Sequence, residues 1–175
     1  MRKGSLPDRE PLDAKGLSFA VVAARWNADV TERLLDGALS VLRAAGAREV
    51  AVVRVPGSFE LVSACRWEVR RARSAVVSLG CLIRGDTPHF DVLSRSVASA
   101  LAQLNAAQDV PIAFGVLTCD DHAQAMDRAG GRAGNAGREA AEAAIEMARL
   151  RKRARQAPRP LRAGAPGARK RAEVR

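Results

Sequence analysis

The residues best suited to chemistry lie between Gly80 and Asp91, in GCLIRGDTPHFD. This stretch leaves an apolar run and reaches Thr87, Pro88 and His89. A hydroxyl residue followed by proline predicts a helix start, with Thr87 as N-cap and Pro88 at the first helical position. His89 then stands in the first turn, beside main-chain N–H groups that have no helical acceptor, with Arg84 a few residues upstream. Anions bind at such places, and an imidazole exchanges protons near neutrality. An ordinary strand-to-helix connection with an exposed histidine has the same local sequence, so the neighbouring elements must distinguish the two.

Those elements alternate. SFAVVAA (18–24) is an unbroken apolar run of strand length, as expected of a strand covered on both faces. Asp29 and Glu32 form a capping-box pattern for a helix carrying Val30, Leu34, Ala38, Val41, Leu42 and Ala45 until Gly46 stops it. VAVVRV (50–55) is a second strand, ended by Pro56 and Gly57, after which Leu61, Cys65, Val69 and Ala72 form a helical stripe. SAVVSLGCLI (74–83) is the third strand and delivers the opening stretch. The helix from Thr87 carries Leu93, Val97, Leu101 and Leu104 and runs to about Gln108. PIAFGVLT (111–118) is the fourth strand, with Pro111 at its tolerated first position. Asp121 with Gln124 caps a short helix that ends in RAGG. Asn135 caps a last helix bearing Ala141, Ala144, Ile145 and Ala148.

This order predicts a parallel sheet with helices on both faces, in a doubly wound arrangement. Ligands of such sheets sit outside the carboxyl ends of the strands. Four loops then share one rim: Arg25-Trp26-Asn27, Pro56 to Glu60, Arg84 to His89, and Thr118-Cys119-Asp120. The rim offers an aromatic platform in Trp26, an apolar wall in Phe59, a carboxylate in Glu60, an anion-binding helix start from Asp86, and a proton-transfer group in His89. A planar ring stacked on Trp26 and a phosphate at the helix start would use all of these. Trp26 could instead pack against the body, and Glu60 is also an acid favoured in a first helical turn. His122 reads as a solvated first-turn residue, and Arg128 as a cation favoured near its helix's end.

Composition narrows the class. The chain has 175 residues, 47% apolar and 27% charged, which suits one globular domain. Aromatics are 3%, so those that fall in loops stand out. The net charge of +10 is uneven: residues 151–175 hold ten Lys or Arg against Glu173 alone, and the remainder is nearly neutral. Cys65, Cys81 and Cys119 show neither CxxC nor zinc-ligand spacing. No dinucleotide or P-loop glycine pattern occurs, no apolar run approaches membrane length, and the polar start lacks a signal-peptide core. A soluble, unexported protein of a reducing cytosol is expected, with neither a disulfide framework nor a zinc site suggested. The Arg84-Gly85-Asp86 triplet reads as coincidence rather than an adhesion motif.

Taken in order, RWN, VPGSFEL, LGCLIRGDTPHFDVLS and FGVLTCDDHAQAMDRAGGRAGNAGREAAEAAIEMA closely resemble the lumazine synthase family over roughly residues 17–150. The resemblance implies a three-layer αβα sandwich around a mostly parallel, four-stranded flavodoxin-like sheet, extended by the N-terminal arm of a neighbouring subunit. It implies condensation of 5-amino-6-ribitylaminouracil with 3,4-dihydroxy-2-butanone 4-phosphate, without metal or organic cofactor. By position, Trp26 would stack on the pyrimidine, where the family usually has phenylalanine. Ser58, Phe59 and Glu60, with main chain around Leu82 and Ile83, would hold the ribityl chain and ring edge, and Phe114 would close the pocket from a neighbour. Gly85, Asp86 and Thr87 would bind phosphate, with Arg128 reaching it across a subunit boundary, and His89 would shuttle protons. Asn27, Arg132 and Glu139 are further candidates. No match gives Arg84 a catalytic role.

One departure is Ala136, where the family commonly has lysine; Arg132 or Arg138 would have to supply the missing charge. The implied domain plan is an arm (1–16), the enzyme domain (17–150) and a basic tail (151–175). The implied assembly is a homopentamer, with sixty-subunit shells and an enclosed riboflavin synthase as further expectations. The tail could bind nucleic acid, and a scaffold or cage with reduced catalysis is the alternative reading.

Overall fold

Both parities of the central strands are apolar, so each strand has to be covered on two sides. The computed structural model describes residues 11–156 and covers them in this way. β1 (Ser18–Ala24), β2 (Glu49–Val55), β3 (Ala75–Ile83) and β4 (Ile112–Cys119) form one sheet in the order β2-β1-β3-β4. All three pairings are parallel. Helices α1 (Ala28–Ala44), α2 (Leu61–Arg70), α3 (His89–Ala107), α4 (His122–Arg128) and α5 (Ala136–Gln156) complete a flavodoxin-like αβα sandwich.

The side chains divide with period two. Phe19, Val21 and Ala23 of β1 and Val77, Leu79 and Cys81 of β3 face α1 and α5. Ala20, Val22 and Ala24, with Val76 of β3, face α2 and α3. Each fully buried Val, Leu, Ile or Phe contributes about 1.5–3 kcal/mol, so the stripes seen in the sequence decide which face each helix takes.

α1 and α5 meet closely. A Cβ on Gly137 would stand 2.0 Å from the Leu34 carbonyl oxygen, so this crossing requires glycine. α1 ends in a Schellman motif: Gly46 (φ 78°) and Ala47 donate to the carbonyls of Arg43 and Leu42, both at 3.0 Å. Asn135 caps α5 as expected, its Oδ1 accepting the Arg138 N–H at 3.0 Å. Asp121 likewise accepts the Gln124 N–H at 2.8 Å.

Two expected caps are corrected. The N-cap of α1 is Asn27, in the left-handed region at φ 57°, ψ 53°, without a side-chain capping bond. The Asp29–Glu32 box does not form, because both carboxylates are taken by other elements: Asp29 pairs with His122 and Glu32 with Arg54. α3 begins at His89, one residue later than expected, with Pro88 rather than Thr87 as N-cap and no side-chain cap. The RAGG region is more than a turn: β5 (Ala129–Gly131) and β6 (Gly134–Asn135) pair antiparallel, with Gly130 and Gly134 at positive φ.

The ends of the described chain join the body. Ala14 is buried and donates to the Ala45 carbonyl at 2.8 Å. α5 continues past residue 150, and Arg151 reaches Asp109 at 3.0 Å. Residues 1–10 of the expected arm and 157–175 of the expected tail lie outside the described residues. Among the described residues, no helix is long and apolar enough to cross a membrane.

Candidate active site

The carboxyl ends of the strands bring the predicted loops together. β1 and β2 end level, with Ala24 opposite Val55. Arg25 then donates to the Val55 carbonyl at 2.9 Å and Trp26 to the Pro56 carbonyl at 3.3 Å, which sets the first loop beside the second. Trp26 is 72% exposed and Phe59 60% exposed, too much surface for either to be a packing residue. Arg25, Trp26, Asn27 and Pro56 line an open depression.

The third strand reaches further. β1 pairs with β3 only as far as Leu79, whereas β4 accompanies β3 to Ile83. Main-chain groups alternate sides along a strand. Arg84 donates toward β4, to the Cys119 carbonyl at 3.0 Å, so the N–H and C=O of Ile83 turn to the side that β1 leaves open. Asn27 enters that gap and donates from Nδ2 to the Cys81 carbonyl at 3.0 Å. The asparagine thus ties the Trp26 loop to the extended end of β3.

Glu60 turns back on its own loop, where Oε2 accepts the Gly57 N–H at 2.8 Å. Its carboxylate therefore braces the turn below Trp26. Ser58 is 3% exposed, and its hydroxyl is buried without a hydrogen-bond partner. A Cβ on Gly80 would stand 2.7 Å from that oxygen, so glycine at 80 is what lets Ser58 sit beneath the rim. Gly85, Asp86, Thr87 and His89 are all exposed at the start of α3. Burial pushes the Cys81 thiol up to about 12, so it carries no thiolate nucleophile at neutral pH.

The remaining candidates come from the middle of β4 and from the α4–α5 region, and of these Arg128 is close enough to Cys119 at the end of β4 to interact with its thiol. Phe114 lies mid-strand opposite Ser78 and is 50% exposed on the edge strand. Arg128 makes a two-pronged pair with Glu139, at 3.1 and 2.7 Å, and donates to the Ala133 carbonyl at 2.6 Å. The Glu139 hydrogen bond raises the pKa of Arg128, which stays a cation. Arg132 pairs with Asp127 at 2.9 Å and Arg138 with Glu142 at 3.2 Å. Ala136 is buried in the α1–α5 core. His122, expected to be solvated, is exposed yet paired with Asp29, and its hydrogen bond lowers the Asp29 pKa. The pairing was invisible in sequence because it joins the starts of α1 and α4.

An open parallel sheet whose strand ends gather an aromatic face, a carboxylate, a free main-chain edge and an exposed imidazole defines a class, the flavodoxin-like α/β enzyme. Comparison with known families narrows it. The family model for 6,7-dimethyl-8-ribityllumazine synthase matches residues 16–152. A protein of that name from Cutibacterium acnes is 49% identical over 143 residues, 81% of this chain and 86% of that protein. One from Parabacteroides distasonis is 46% identical over 138 residues, 77% of this chain and 86% of that protein. One from Anaeromyxobacter is 45% identical over 155 residues, 87% of this chain and 95% of that protein. The chain belongs to the 6,7-dimethyl-8-ribityllumazine synthase family.

Proposed function

We propose that this rim condenses 5-amino-6-ribitylaminouracil with 3,4-dihydroxy-2-butanone 4-phosphate, as a transferase of riboflavin biosynthesis. The observation that carries the reading is the gathering of Trp26, Phe59, the open edge at Ile83 and His89 around one set of strand ends. Trp26 offers a face for the pyrimidine. Phe59 and the groups at Leu82 and Ile83 flank the ribityl chain, with Ser58 and Glu60 shaping that side. Gly85, Asp86 and Thr87 present main chain to the phosphate.

The chemistry is a sequence of proton movements on two held substrates. The 5-amino group adds to the ketone and water leaves to give an imine; phosphate is then eliminated. The ribitylamino nitrogen closes the second ring with loss of another water. His89 gives and takes protons in these steps, and the larger part of the rate comes from holding both reactants in contact. Mixing the two substrates with the protein and following the lumazine chromophore tests the reading; no chromophore sinks it. His89→Ala is expected to slow turnover about tenfold to a hundredfold under the same assay.

Family membership implies substrate binding and assembly of copies. The proposal extends this to a homopentamer in which Arg128, Arg132, Glu139 and Phe114 serve a neighbour's rim. Exposed Val52, Phe114, Met147 and Leu150 support such contacts, and sedimentation that finds monomers only would overturn them. A cytoplasmic location, an enclosed riboflavin synthase and the domain plan of arm, enzyme domain and basic tail belong to the same proposal. So does nucleic-acid binding by the tail: the ten basic residues from 151 onward supply its charge, and retention of RNA that salt does not alter would count against it.

A further inference from the structure

We propose that Arg84 is a positioning residue, which fixes the Gly85–Thr87 turn and the orientation of His89 without itself touching a substrate; the inference rests on the reading of the rim given above. The turn has few anchors of its own. Among the described residues, the side chains of Asp86, Thr87 and His89 have no hydrogen-bond or ion-pair partner. A Cβ on Gly85 would meet nothing within 4 Å. Four exposed residues therefore separate Arg84 from His89, and their path depends on what holds the two ends.

Arg84 holds both. Its main chain is tied to the end of β4 through the Cys119 carbonyl at 3.0 Å. Its guanidinium donates from Nε to Asp120 beyond β4 at 3.0 Å, and from Nη1 to Asp91 in the first turn of α3 at 3.1 Å. The same group lies over the Phe90 ring, 4.3 Å from its centroid. Phe90 and Asp91 directly follow His89, so one planar fork connects the end of β4 to the first turn of α3 on either side of the turn. Only a guanidinium does this, because it donates in two fixed directions while its face stacks on an aromatic ring.

Exposed ion pairs contribute at most about 1 kcal/mol to folding. The clamp therefore matters less to stability than to angle, and small displacements of a bound reactant cost large factors in rate. Asp91 and Asp120 engage its Nε and Nη1 and balance its charge, which makes Arg84 a brace for the phosphate turn rather than its ligand.

The test compares the full-length wild type with Arg84→Gln, Arg84→Lys and the double variant Asp91→Asn with Asp120→Asn. Arg84→Gln is expected to raise the KM for the phosphorylated ketone about tenfold, lower kcat less, leave the KM for the pyrimidine unchanged and keep the Tm. The double variant is expected to reproduce that pattern, and Arg84→Lys to restore little of it. Hydrogen exchange at the bonded amides that flank the turn, Arg84 (to Cys119) and Asp91 and Val92 (both to Pro88), is expected to speed up in Arg84→Gln, and this readout needs no activity. Unchanged exchange together with unchanged KM overturns the proposal. So does a double variant with wild-type KM beside an impaired Arg84→Gln, since Arg84 would then contact the substrate itself. A wild type that forms no lumazine would remove the proposed function, while the exchange data would still decide whether the clamp exists.

Discussion

On one face of the sheet α1 and α5 each bury seven residues; on the other, α3 buries only Val97 and Leu101 in nineteen. The first face is closed by backbone contact. Gly137 rests on the Leu34 carbonyl, and a Cβ on Gly37 would meet the Asn135 side chain at 2.4 Å. The second is half open, with Leu93 and Leu104 partly buried and Val92 64% exposed. The loosely held helix is the one that begins with His89. α2 on that second face buries five of its ten residues, so the looseness is confined to α3, whose outer side is left for contacts a single subunit does not supply.

Substitutions can break this contrast. Ile145→Ala, at a fully buried site on the closed face, is expected to cost about 4 kcal/mol in urea unfolding. Gly137→Ala should follow at about 3 kcal/mol, since the added methyl meets main chain that cannot rotate away; a neutral result would show that α1 and α5 can separate freely. Leu101→Ala on the open face should cost about 2 kcal/mol, at the low end for such truncations. A loss equal to that of Ile145→Ala would mean that the faces are equally well packed.

The smallest effect concerns the Asp29–His122 pair, which joins the closed face to α4. The hydrogen bond from His122 holds Asp29 below its ordinary value of 3.8. A carboxylate depressed in the folded state stabilises the protein above its unfolded value, and that contribution is lost as pH falls through the folded value. Asp29→Asn should therefore flatten the acid side of the stability profile below about pH 4 and change little near neutrality, apart from the lost pair. An acid limb identical to wild type would show that the pair does not contribute.

The elements were legible to within about a residue at most ends. SFAVVAA is β1 without adjustment, and Asn135 and Asp121 cap the helices they were expected to cap. These signals are local: a buried strand needs unbroken apolar residues, and a cap needs one acceptor at a fixed offset. The Asp29–Glu32 box has the same local form and fails, because Arg54 and His122 arrive beside those carboxylates from elsewhere. The short β5–β6 ladder was missed because its strands are too brief to show alternation, although the glycines flanking its turn marked the place.

The candidate site divides in the same way. Trp26, Phe59, Glu60 and His89 could be named in advance, since each follows a readable strand and ligands of open sheets gather at strand ends. The sequence by itself thus determined the elements, their alternation and the edge at which the candidate loops lie, because hydrophobic period and turn residues act over a few positions. Only the tertiary structure decided that Asn27 ties β1 to β3 and that Ser58 lies under Gly80. It also decided that Arg84 spans two carboxylates and a ring. Each of these depends on which loops meet, and a side chain's partner is chosen by proximity in space rather than by spacing along the chain.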